Sequence, residues 1–179
     1  MKLEQNFFTL LGQVQQFTVN RAALKKQFRH LQREYHPDRY IAKTPQEQRL
    51  AVQFSAHLNT AFAVLDNPVK RATHLLELSG VEIDHQNSTI KDPSFLMQQM
   101  EIRETLDDAR AASDLPALEV LLNQVSDQFQ ACQQGFSAQM EPSELSSPSD
   151  EKDLRDTVGK MQFYEKLCDE LTSIIRSLS

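Results

Sequence analysis

The sequence predicts an all-α protein, and three observations carry that prediction. Its 179 residues include only four glycines and no tryptophan, while the good helix formers Leu, Ala, Gln, Glu and Lys are abundant. Clusters of Val, Ile, Thr and aromatic residues, the usual mark of strands, are missing. Apolar residues recur instead at intervals of three and four over long stretches.

Taken in order, the first element is a short apolar helix from Asn6 to Gly12. Asn20 is placed to cap a second helix that runs to about Tyr35, because its side chain can accept from the free N–H groups of a first turn. At about 100° per residue, Leu24, Phe28, Leu31 and Tyr35 fall within roughly 60° of one another, and Lys25, Lys26, Arg29 and Arg33 take the opposite side. Half of this helix is core and half is cation. Pro37 fixes its own φ and disfavours α conformation at His36, so the helix stops there and leaves His36 and Asp38 on a loop beside the cationic face. A third helix, about Pro45 to Leu65, carries Leu50, Phe54, Leu58, Ala61 and Leu65 on one stripe and can pack on the second as an antiparallel hairpin.

Two stretches interrupt the helical pattern with turn-forming and polar residues. Gly80 to Asp92 separates domains, and Met140 to Asp150 reads as a long loop between two helices that still pack together. The expected division is residues 1–79, a linker at 80–92, and a second domain at 93–179. Within the second domain, Asp114 caps a helix reaching about Gln139, with Leu118, Leu121, Leu122, Val125, Phe129, Cys132 and Phe136 in an arc of roughly 100°. Leu154, Val158, Met161, Tyr164, Cys168, Leu171 and Ile175 make a similar stripe near the C-terminus. With a helix from about Pro93 to Ala112, a three-helix bundle follows.

That remaining helix has two apolar faces. Phe95, Ile102, Leu106 and Ala109 can serve the bundle core, whereas Leu96, Met97 and Met100 sit on the other side among Glu101, Arg103 and Glu104. Phe163 is likewise off the stripe of its own helix. An apolar cluster ringed by charge suits a protein partner, and methionine adapts to irregular partner surfaces. The same residues could equally pack against the first domain or a helix at Asn67 to Leu78.

Charge divides along the same boundary. Net charge is −6, yet residues 1–76 hold 11 Lys and Arg against 5 Asp and Glu, while residues 77–179 hold 8 against 20. Opposite fields imply two partners, or one partner and an internal attraction. Lys25, Lys26, Arg29 and Arg33 could also meet phosphates of a nucleic acid, a reading the strongly acidic second half opposes. Cys132 and Cys168 lie far apart in apolar helical patterns, which predicts buried free thiols. With no C-x-x-C, no H-E-x-x-H, no phosphate loop and no nucleophile motif, the expectation is a protein without metal, cofactor or catalytic residue. No apolar run is long enough to cross a bilayer, and the opening MKLEQNFFTLLG resembles neither a signal nor a transit peptide, so a cytoplasmic protein is expected.

A capped basic helix ending in YHPDR, followed by a helix reading FSAHLNTAFAVL (Phe54 to Leu65), resembles a J-domain. The resemblance implies that His36, Pro37 and Asp38 contact an ATP-bound chaperone of the DnaK/HscA class and stimulate its hydrolysis. Lys25, Lys26, Arg29 and Arg33 would meet acidic surface on that chaperone. The glycine-rich and cysteine-rich segments that follow the J-domain in general DnaJ proteins are absent. NPVKRATHLLEL (Asn67 to Leu78) and DPSFLMQQMEIRETLDD (Asp92 to Asp108) resemble instead the HscB family, extending the likeness over both domains. That family's second domain binds the scaffold on which iron–sulfur clusters are built. The resemblance therefore implies scaffold contacts at Leu96, Met97, Met100, Glu101, Arg103, Glu104 and Phe163, with a J-protein serving another client as the alternative.

Overall fold

The computed structural model describes residues 6–81, 90, 92–140 and 148–178, with the side chains of residues 148 and 149 left aside. Among the described residues there are helices and no strands: α1 (Phe7–Leu10), α2 (Arg21–Glu34), a 3₁₀ turn (Pro37–Tyr40), α3 (Pro45–Asp66), α4 (Pro68–Leu78), α5 (Pro93–Ala111), α6 (Leu115–Gln139) and α7 (Pro148–Leu178). They fall into two compact units, Met1–Ser79 and Gly80–Ser179.

Capping residues explain where the helices begin. The Asn20 carboxamide accepts from the amides of Ala22 and Ala23 at 3.1 and 3.0 Å, and Asn67 accepts from Lys70 at 2.8 Å. Asp114 accepts from Ala117 at 3.0 Å. Each satisfies donors that a first turn leaves without an intrahelical partner, which is worth about 1 kcal/mol per cap.

In the first unit, α2 and α3 form the expected hairpin. Leu24, Phe54, Leu58, Ala61 and Leu65 are buried, and rings clasp the two helices together: Phe28 on Phe62 at 4.3 Å between centroids and Tyr35 on Phe54 at 4.5 Å. Leu50 is only half-buried, and its neighbour Ala51 takes the buried position. Arg21 grips Asp66 with two hydrogen bonds, at 2.8 and 2.9 Å, tying the start of α2 to the end of α3. The turn into α4 is built on Arg71, which sequence patterning did not single out. Its guanidinium is buried, donates to the Leu65 carbonyl and lies 5.0 Å from the Phe17 ring centroid. Burial lowers its pKa to about 10, so it stays protonated at neutral pH.

The second unit is a bundle of α5, α6 and α7 around Phe95, Leu106, Leu118, Leu121, Val125, Tyr164, Leu167 and Leu171. Three sequence expectations change here. Leu167 is fully buried while Cys168 is half-buried, so the stripe on α7 runs one residue earlier at that turn than the sequence suggested. Cys132 is half-buried as well, and both thiols are free, with burial raising their pKa values. Finally, α7 begins at Pro148, so the expected loop at 140–150 gives up its last three residues to the helix, proline being well suited to a first turn. Residues 141–147 of that loop, and 82–89 and 91 of the expected linker, lie outside the described residues. The linker's described end belongs to the bundle. Ile90 packs on Gly159, where a Cβ would come within 3.0 Å of its side chain, and Asp92 caps α5.

Candidate functional site

Two exposed surfaces, one in each unit, carry the residues singled out by the sequence. The first is the end of α2 and the turn after it. His36 has extended backbone (φ −63°, ψ 131°) and acts as N-cap of the 3₁₀ turn, its Nδ1 accepting from the Asp38 amide at 3.3 Å. Pro37, which has no N–H to satisfy, occupies the first position of the turn. The loop expected here is thus a single hydrogen-bonded turn. Arg39 closes it twice: its amide donates to the His36 carbonyl at 3.0 Å, and its guanidinium reaches back to the Arg33 carbonyl at 3.2 Å, near the C-terminus of α2.

His36 and Asp38 both face water, the His36 side chain being 50 % exposed and that of Asp38 80 %. The Asp38 carboxylate lies 3.5 Å from His36 Nδ1. With Nδ1 accepting from the backbone, the proton of a neutral His36 ring resides on Nε2. The turn therefore offers a donor and a carboxylate acceptor in fixed relation. Beside it, Lys25, Lys26, Arg29 and Arg33 are all exposed and line a shallow groove on α2 together with Leu11, Gly12 and Gln13. This arrangement sets exposed cations beside an exposed hydrogen-bonding turn.

The second surface is the outer face of α5. Leu96 is 43 % exposed, and Met97 and Met100 are each 64 % exposed, on a helix whose opposite face buries Phe95, Leu106 and Ala109. Glu101 and Glu104 are exposed nearby. The other two residues assigned to this surface by resemblance behave differently. Arg103 is held by Glu170 of α7 at 2.6 Å, and Phe163 is half-buried, its ring edge-on to Phe95 at 5.5 Å and to Tyr164 at 5.3 Å. Phe163 lies off the α7 stripe because it fills the corner where α5 starts. Tyr164 is buried there, which pushes its pKa up to about 12, and its hydroxyl donates to Gln98 at 3.1 Å. Lys160 pairs with Asp92 at 2.9 Å and lies over the Phe95 ring at 5.2 Å.

Among the described residues, no group of three or more His, Cys, Asp or Glu could hold a metal ion, and no helix is long and apolar enough to cross a membrane.

Comparison with known proteins matches both units. Residues 6–74 match the DnaJ domain, and residues 91–172 match the HSCB C-terminal oligomerisation domain. The chain is 40 % identical over 171 residues to the co-chaperone protein HscB homolog of Shewanella oneidensis, covering 94 % of this chain and 96 % of that one. It is 37 % identical over 170 residues to the homolog of Shewanella halifaxensis, with the same coverage. Among solved structures, chaperone HscB from Vibrio cholerae superposes with a TM-score of 0.84 at 31 % identity, covering 98 % of this chain and all of that one. Human co-chaperone HscB shares the fold, with a TM-score of 0.84 at 24 % identity over 94 % of this chain and 81 % of its own.

Proposed function

Since the chain belongs to the HscB family of J-domain co-chaperones, we propose that it binds an iron–sulfur scaffold protein of the IscU type and delivers it to an ATP-driven chaperone of the DnaK/HscA class, whose hydrolysis it stimulates. Residues 1–79 are the J-domain, residues 80–92 the connector and residues 93–179 the scaffold-binding domain. His36, Pro37 and Asp38 form the trigger, and Lys25, Lys26, Arg29 and Arg33 meet acidic surface on the chaperone. Leu96, Met97 and Met100 form the apolar centre of the scaffold contact, with Glu101 and Glu104 at its rim. Arg103 and Phe163 contribute from the edge, through the Glu170 pair and the Phe95 contact that hold them.

The observation that carries this reading is the pairing, on one chain, of an exposed His36–Asp38 turn fixed by hydrogen bonds with an exposed Leu96–Met97–Met100 face on a helix that is otherwise well packed. The protein supplies proximity and no catalytic step of its own: it raises the scaffold's concentration near the chaperone's peptide site. The deciding measurement is the chaperone's ATPase rate with this protein, with and without the scaffold. Stimulation that grows when the scaffold is present supports both halves of the reading. Stimulation indifferent to the scaffold leaves a J-protein for another client.

A further inference from the structure

The turn that carries His36 and Asp38 runs on into Ile41, which is 72 % exposed and shares with Val14 the greatest exposure of any large apolar side chain among the described residues. An isoleucine on a frayed loop would mean little, but this segment is fastened. Gln48 of α3 donates to the carbonyls of both Ile41 and Lys43, at 2.9 and 3.0 Å, and the Lys43 amide donates to Tyr40 at 2.9 Å. Thr44 and Glu47 close a capping box at the start of α3: the Thr44 amide and hydroxyl donate to the Glu47 carboxylate at 2.9 and 2.7 Å, and the Glu47 amide returns to Thr44 Oγ1 at 3.3 Å. Ile41 is thus held in water by a network that leaves its backbone little freedom, so a partner covering it loses little ordering entropy.

The apolar surface continues along α3. Pro45 and Val52, the latter 55 % exposed, line a shallow hollow with Gln48, Arg49 and Gln53. Gln48 serves both places, lining the hollow and holding Ile41. Arg49 donates to the Pro45 carbonyl at 3.2 Å, which keeps its cation at the hollow's edge. Arg49 is the one charged side chain that lines the hollow; Glu47 keeps its carboxylate within the capping box.

We propose that Ile41 and the Pro45–Val52 ledge form a second, apolar contact for the chaperone that His36–Asp38 engages, extending that interface from the turn onto the first turns of α3. The inference rests on the reading of the turn as a chaperone trigger. Continuity selects this occupant: Ile41 follows Asp38 by three residues in one hydrogen-bonded segment, so a partner touching Asp38 comes within a side chain's reach of it. Charge at the turn times hydrolysis, and the uncharged ledge holds the complex together.

The test uses the full chain carrying Ile41→Ser with Val52→Ser, and reads chaperone ATPase against co-chaperone concentration. The expected result is a half-maximal concentration raised about tenfold, equivalent to about 1.4 kcal/mol, with the maximal rate, the scaffold affinity and the melting temperature unchanged. Ile41→Ala alone, which lies outside any α-helix, shifts the half-maximal concentration in the same direction and keeps the test sound if the double variant loses helicity. An unshifted half-maximal concentration overturns the ledge while wild-type stimulation still supports the trigger. Failure of the wild-type chain to stimulate overturns the trigger reading itself. Loss of scaffold binding in the variant, or loss of a self-associated species in sedimentation, assigns the ledge to the scaffold or to a second copy and overturns the proposal.

Discussion

At the scale of single residues, His36 stabilises its own turn. Its ring nitrogen accepts the Asp38 amide two residues on, so the side chain proposed to meet the partner also fixes the backbone presenting Asp38. His36→Gln is expected to cost no more than about 1 kcal/mol of folding stability, the scale of one cap, because the side chain is half exposed and packs in no core. The same substitution should abolish ATPase stimulation, and a variant that still stimulates fully would remove His36 from the trigger. Met97 and Phe163 differ in the opposite sense. Resemblance groups them in one surface, yet Met97 is 64 % exposed while Phe163 is wedged against Phe95 and Tyr164. Phe163→Ala is therefore expected to destabilise the bundle by about 2 kcal/mol, a partial-burial fraction of the usual aromatic truncation cost, and Met97→Ala hardly at all. Urea denaturation of the two variants checks this, and scaffold binding should be compared only after it.

At the scale of elements, the start of α5 shows how an end cap joins one helix to another. The Asp92 carboxylate accepts from Lys160 of α7 at 2.9 Å, from the Ser94 side chain and from the Phe95 amide, so its pKa is held well below the usual carboxylate range, chiefly by the lysine. A carboxylate depressed in the folded state stabilises above its unfolded pKa of about 4 and loses that contribution as pH falls toward the lowered value. Asp92→Asn should therefore be less stable than the wild type at pH 7, with the gap narrowing as pH falls below about 4. Denaturation at the two pH values measures it, and a gap independent of pH would place the Lys160 pair outside the energetics. Element boundaries were legible where a cap or a proline sets them, as at Asn20, Pro45 and Asp114. The α7 stripe was less legible, because Leu167 and Cys168 both satisfy a spacing of three or four from Tyr164 and Leu171, and only packing decides between them.

At the scale of the whole molecule, each unit has its own apolar core, and the two carry opposite net charge. The reading as a tether makes that division functional. Chains cut after Ser79 and supplied as two pieces should keep stimulation by the first piece, since the trigger lies wholly within it. They should lose the additional stimulation that the scaffold gives, because covalent linkage is what sets its effective concentration. Raising ionic strength should weaken the chaperone contact more than the scaffold contact, as the proposal rests the first on exposed Lys and Arg and centres the second on Leu96, Met97 and Met100. Equal salt dependence in titrations of the two partners would refute that separation.

The sequence by itself determined the helical class, the hairpin of α2 and α3, the cationic face, the end of α2 before Pro37 and the second apolar face of α5. All of these follow from local periodicity, capping and the backbone limits of proline, which act within a few residues. Tertiary structure decided what local pattern leaves open. It buried Arg71 against Phe17 and the Leu65 carbonyl, drew Arg103 to Glu170 and Phe163 to Phe95, and fastened Ile41 in water through Gln48. Each of these contacts joins separate elements or separate turns of chain, so its energy depends on where a second segment lies, and no periodicity in the first can encode that.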